Sequence, residues 1–178
     1  CNYFNPGCQR DGEGVPAQKV KNRFWCVEKQ TYAPFTPKEM DFYTTDYFTN
    51  YALEWLDEYA GSEKPFFLYL AYNAPHDPLM AWPEDIAKYE GKYRDGYEDI
   101  RRARYEKQRS LGLIDDRYRL SEATFRKWES LSDEERAVEE RKMAVYAAMI
   151  DRMDQNIGRV IRKLNCLLYT SPSPRDGL

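Results

Sequence analysis

One apolar run constrains this chain more than any other feature: Phe66-Phe67-Leu68-Tyr69-Leu70-Ala71-Tyr72, bounded by Pro65 and Pro75. It is rich in aromatic and large aliphatic side chains. Its apolarity is continuous rather than alternating, which predicts a strand buried on both faces, as in a parallel α/β sheet. A helix of this length would be marginal. The run is also far short of the roughly 20 residues that cross a bilayer. The expected class is therefore α/β, with one or few central strands, flanking helices and an incomplete sheet.

The flanks supply the helices. Residues 1–37 are rich in turn formers and predict an irregular loop with one short strand at 23–28. Phe48, Ala52, Trp55, Leu56 and Tyr59 then recur on one helical face. Thr45 or Asp46 is expected to cap that helix, with Gly61 at its left-handed C-terminal cap. Half of residues 91–140 are charged, which predicts a solvated helical excursion. Within it, Asp115-Asp116 reads as a solvated turn. Ser132-Asp133-Glu134-Glu135 is a capping box. It opens a helix predicted over 133–164, about 48 Å long, with a stripe of Met143, Tyr146, Ala147, Ile150, Ile157, Ile161 and Leu164. Asp154 falls on this stripe, so a structural hydrogen bond to a neighbouring loop is expected there. Residues 166–178 break the helical period and are expected to be a non-native or disordered tail.

Composition sharpens this outline. Leu, Ile, Val and Phe together make up under a fifth of the chain, although aromatic residues reach 15% and the net charge is only -3. Disorder needs few aromatics and high charge, so the chain is foldable but short of core material. A fragment, starting at Cys1, is expected. The mild charge gives no reason to expect nucleic acid or an anionic membrane as partner. The four Cys form no CxxC pair, and zinc spacing is absent. A Cys8–Cys26 disulfide and free thiols both remain open.

The chain has a single histidine, His76, in Asn73-Ala74-Pro75-His76-Asp77-Pro78. Just beyond the carboxyl end of a parallel strand is where α/β folds bind ligands. Two prolines stiffen the loop there. An imidazole so placed suits proton transfer or anion binding near neutral pH.

The stretch from Pro65 through Leu79, PFFLYLAYNAPHDPL, resembles a signature segment of the sulfatases, of the alkaline phosphatase superfamily. Tyr43-Thr44-Thr45-Asp46-Tyr47-Phe48-Thr49 resembles the family's Y-x-T-D-x-x-T segment, and Trp82-Pro83-Glu84-Asp85 the stretch after its histidine. Residues 129–135 and 143–158 resemble its long helix. The resemblance covers about residues 2–165. It implies a partial alkaline-phosphatase-like α/β/α sandwich over residues 1–165, with the charged excursion at about 91–140.

The family resemblance also implies a hydrolase of sulfuric esters, acting on a small-molecule or carbohydrate sulfate ester. In that family a Cys or Ser of a C/S-x-P-x-R motif becomes formylglycine, and Ca²⁺ polarises the sulfate. No such motif occurs in this chain, and no metal ligand is carried over. His76 alone is carried over, as the catalytic histidine beside the leaving alkoxide. The chain as it stands is then expected to be inactive. The resemblance implies a periplasmic or secreted protein. Two alternatives are a phosphonate monoester or phosphodiester hydrolase of the same superfamily, and a non-catalytic helical interaction module.

Overall fold

A computed structural model describes residues 9–10, 25–32, 41–62 and 64–170. In chain order the elements are β1 (Gln9–Arg10), β2 (Trp25–Val27), β3 (Gln30–Tyr32), α1 (Thr44–Tyr59), β4 (Met80–Ala81), α2 (Pro83–Ala87), α3 (Glu98–Ser110), a 3-10 turn (Trp128–Ser130) and α4 (Asp133–Thr170). β2 and β3 form an antiparallel hairpin, Trp25 opposite Tyr32. It turns at Glu28, whose φ is +52°. β1 pairs antiparallel with β4, Gln9 opposite Ala81. This mixture of helices and small sheets is consistent with a partial α/β fold.

The capping box forms as expected. Ser132 Oγ accepts the Glu135 N–H at 3.2 Å, and Glu135 Oε2 accepts the Ser132 N–H at 2.9 Å. α4 is 38 residues long, about 57 Å at 1.5 Å per residue. It continues past the expected end at Leu164 to Thr170, and the remaining tail lies outside the described residues. α1 begins differently from the expectation. Its N-cap is Tyr43, with no side-chain cap bond, because Asp46 is committed to α4 instead. Gly61 does take the left-handed conformation, φ +92°.

Residues 66–72 do not form the expected strand. Among the described residues they form no helix or strand and join neither sheet. Phe67 is 86% and Tyr69 79% exposed. A doubly buried strand needs a neighbour on each side. The described strands are two or three residues long and pair elsewhere.

Both helical faces are also rotated from the predicted ones. α1 buries Thr44, Thr45, Thr49, Ala52 and Leu56, whereas Tyr59 is exposed. α4 buries Ala144, Val145, Ala148, Met149, Asn156 and Val160. The predicted Ile150, Ile157 and Ile161 lie outside, Ile161 being 52% exposed. Small side chains explain the choice. Ala74, Ala81, Ala144 and Ala148 let β4 and α2 approach α4 closely enough to enclose Ile86 and Met149.

The charged excursion is solvated, as expected: α3 buries no residue. It is tied to α4 by Tyr97, whose hydroxyl donates to Glu139 O at 2.8 Å. Burial, then the Glu139 carboxylate, raises the Tyr97 pKa. Trp128 lies over Gly96, which has φ +85°. A Cβ there would meet Trp128 Cγ at 2.7 Å, whereas one on Gly61 would meet open space. Gly96→Ala is therefore expected to cost about 2–4 kcal/mol, from the left-handed backbone plus overpacking. Gly61→Ala should cost only the backbone part, about 1–2 kcal/mol. Urea unfolding followed by circular dichroism measures both, and equal losses would contradict the close packing at Gly96.

Candidate functional site

The expected histidine turn is present, between the unladdered segment and β4. Tyr72 ends that segment with its hydroxyl 2.7 Å from Thr49 Oγ1. Asn73 O accepts the His76 N–H at 2.9 Å, closing the turn. Ala74 is buried in the cluster around Ile86 and Met149. Pro75 and Pro78 flank the histidine, each after a cis peptide bond. Beyond the turn, Met80 is fixed at both backbone atoms. Its N–H donates to Met149 Sδ at 3.3 Å, and its carbonyl accepts the Tyr43 hydroxyl at 2.9 Å.

His76 itself is exposed. Its Nδ1 lies 2.5 Å from Asp77 O. A carbonyl can only accept, so this contact assigns the donor role to Nδ1.

Around the base of the turn, charged groups lock α1, α2 and α4 together. Arg152 donates from Nε and Nη2 to Asp46, both at 2.9 Å, and reaches Asp85 at 3.5 Å. Asn156 donates to Asp46 Oδ1 at 2.7 Å. Lys88 bonds Asp85 at 2.6 Å and Asp151 at 3.0 Å. The Asp85 side chain is only 2% exposed. A carboxylate taken so far from water needs this density of donors. The row continues along α4: Arg159 donates to Asn50 at 2.7 Å, and Lys163 pairs with Asp57. Asp154, by contrast, is exposed. The rotation of the α4 face replaces it with Arg152 and Asn156 as the polar groups turned inward.

These residues do not assemble a metal centre. Among the described residues, no group of three His, Cys, Asp or Glu is arranged to hold an ion. The two carboxylates at the helix junction, part-buried Asp46 and buried Asp85, are committed to Arg152, Asn156 and Lys88. Asp115 and Asp116 form the solvated turn that was expected, paired with Arg117 and Arg109. The described residues thus do not fit a calcium site. Cys26 is a free thiol, and its suggested partner Cys8 lies outside the described residues. Two clefts occur nearby. One, of about 1140 Å³, lies between the excursion and the start of α4, beside Tyr97, Phe125 and Trp128. The other, of about 590 Å³, is walled by Val27, Phe48, Trp55, Leu68 and Leu70. His76 lines neither.

Sequence reasoning singled out His76 but passed over Tyr43, Thr49, Tyr72 and Arg152, which make the contacts around its turn and the helix junction. The signal was present as helical spacing. Thr45 and Thr49 fall on one face of α1, and Arg152, Asn156, Arg159 and Lys163 on one face of α4.

Comparison with known proteins agrees with the resemblance carried by these segments. A sulfatase family model matches residues 7–170. Over 125 residues the chain is 37% identical to an arylsulfatase of Klebsiella aerogenes, covering 70% of this chain and 27% of that protein. Over 130 residues it is 37% identical to an uncharacterized sulfatase of Schizosaccharomyces pombe, covering 71% of this chain and 23% of that protein. The chain spans about a quarter of the length of these curated relatives.

The charged junction gives stability a defined pH window. Burial would raise the Asp151 pKa, but hydrogen bonds from Lys88 and Gln155 outweigh it and hold it below the usual 3.8. Its contribution is present above 3.8 and lost as pH falls through the depressed value. Hydrogen bonds to Asp85 and Asp151 raise Lys88 above 10.5, so its contribution is lost as pH rises through that raised value. Stability should therefore be flat through neutrality and fall at both ends. Lys88→Met should flatten both edges, and high salt should shrink the difference, because Lys88 is half-exposed. Urea midpoints across pH test this; unchanged edges in the variant would contradict it.

Proposed function

We propose that this chain, which belongs to the sulfatase family, is part of an enzyme that hydrolyses sulfate esters. The substrate class is a small-molecule or carbohydrate sulfate ester. His76 is the residue of this chain that acts in the reaction. The observation that carries its role is the Nδ1 contact with Asp77 O. With that nitrogen fixed as donor, Nε2 can pick up a proton and deliver it to a leaving alkoxide or phenoxide. An oxygen expelled from sulfur needs such a donor. Calcium and formylglycine, which the family implies, would supply charge stabilisation and the nucleophile from parts of the protein other than the described residues. Secretion or a periplasmic location is the compartment we propose, from the family alone.

The open, unladdered 66–72 segment is what an interaction module would present. Membership of a hydrolase family across residues 7–170 supports the enzyme instead. Among the described residues no helix is long and apolar enough to cross a membrane.

A protein of the relatives' length that contains residues 1–178 provides the test. It should cleave an aryl sulfate in preference to the matching aryl phosphodiester. His76→Ala should lower kcat by about 10²–10⁴-fold, the usual scale of a lost proton donor. The isolated 178-residue chain should be inactive. A strong preference for the diester, or full activity of His76→Ala, would overturn the assignment.

A further inference from the structure

We propose that two copies of this chain associate through the charged excursion, the basic face of α3 in each copy seating in the acidic cleft of the other. The inference goes beyond the reading of His76 and does not rest on it.

One side of α3 is already taken. Arg101 donates to Ser121 O at 2.5 Å and to Ser121 Oγ at 2.8 Å. The Tyr105 hydroxyl donates to Tyr118 O at 2.6 Å, and Arg109 pairs with Asp116. Residues four apart share a helix face, so the chain returning through 116–121 lies against that one. Ile100, Arg104, Lys107 and Leu111 stand at i, i+4, i+7 and i+11 on another face, and all four are exposed. This face is basic and apolar together. Neither Arg104 nor Lys107 is in an ion pair among the described residues, and Leu111 is 62% exposed.

The cleft beside Tyr97, Phe125 and Trp128 has the opposite charge. Eight carboxylates line it against three cations, Arg126, Lys127 and Lys142. Asp95, Asp99 and Glu122 in this lining are exposed and pair with no cation among the described residues. Phe125 and Val138, also in the lining, leave apolar surface open to water. An acidic groove with apolar walls is complementary to a basic face that carries Ile100 and Leu111. One copy cannot make this match with itself. Asp99, in the first turn of α3, lines the cleft, and Lys107 stands about 12 Å further along the same helix. A second copy related by a two-fold axis, with the two α3 helices antiparallel, brings the cations of each to the carboxylates of the other. Both contacts then form at once, as an isologous dimer requires.

Sedimentation velocity of the full 178-residue chain tests this. The mass should rise from monomer to dimer with protein concentration. The dimer should weaken about tenfold between roughly 0.1 and 1 M salt, as the screening length falls from about 10 to 3 Å. Arg104→Glu with Lys107→Glu should raise the dimer dissociation constant about tenfold or more, because it sets like charges opposite one another. Asp95→Lys with Glu122→Lys should do the same from the other side. An equal mixture of the two variants should restore association, since one contact is then charge-swapped and the other parental. All four positions are exposed, so the helical circular dichroism should be unchanged. Lys29→Glu with Arg162→Glu makes the same charge change elsewhere and should leave the dimer as in the parent. A chain that is monomeric at every concentration would overturn the inference. So would a dimer that both variants leave intact, or a mixture that stays dissociated. Binding of oligolysine by a chain that remains monomeric would give the cleft to a foreign basic partner and would equally overturn it.

Discussion

A guanidinium carried into a helix junction must find carboxylates there, and Arg152 finds two. Asp46 comes from the first turn of α1 and Asp85 from α2, while Arg152 itself belongs to α4. One side chain therefore joins three elements that are far apart in sequence. Asn156, Lys88 and Gln155 supply the remaining donors around the two carboxylates. Removing Arg152 would take a cationic partner from the nearly fully buried Asp85, which is costly for a carboxylate so far from water. In a chain this poor in large aliphatic residues, that penalty does much to fix a single arrangement. The apolar part of the junction is built from alanines with Ile86 and Met149, and it needs the helices held close.

The histidine turn inherits its geometry from this junction. Thr49 and Tyr43 belong to α1 and its N-cap, and Met149 to α4. They hold Tyr72 on one side of His76 and Met80 on the other. Met80 also pairs with Arg10 in the short β1–β4 ladder. The contact of Nδ1 with Asp77 O then orients the ring within the turn. A reactive group on a short loop between rigid elements is the usual division of labour between scaffold and function.

How much was legible in the sequence follows from what each signal measures. The capping box and the left-handed Gly61 are local, and both were found where they were read. Helix positions were also local and held to within a few residues. Helix faces were not, because counting large apolar residues assumes they all point inward. Here the inward faces carry Thr45, Thr49, Arg152 and Asn156, and Ile150, Ile157 and Ile161 lie outside. The run at 66–72 failed as a strand for a non-local reason: pairing depends on neighbours that its own residues do not encode. His76 was singled out through its two prolines and the segment resemblance. Tyr72 was passed over, since nothing local distinguishes a tyrosine that anchors a loop from one that merely fills space.

The ion cluster holds together the helices on which the His76 turn is built. Native-state hydrogen exchange in an Arg152→Met variant tests it most directly. The account predicts that the His76 amide and the Tyr47 amide, in the first turn of α1, lose protection together and by the same factor, because the turn is anchored to the helix that the cluster holds. Loss at Tyr47 with the His76 amide as protected as in the parent would contradict it.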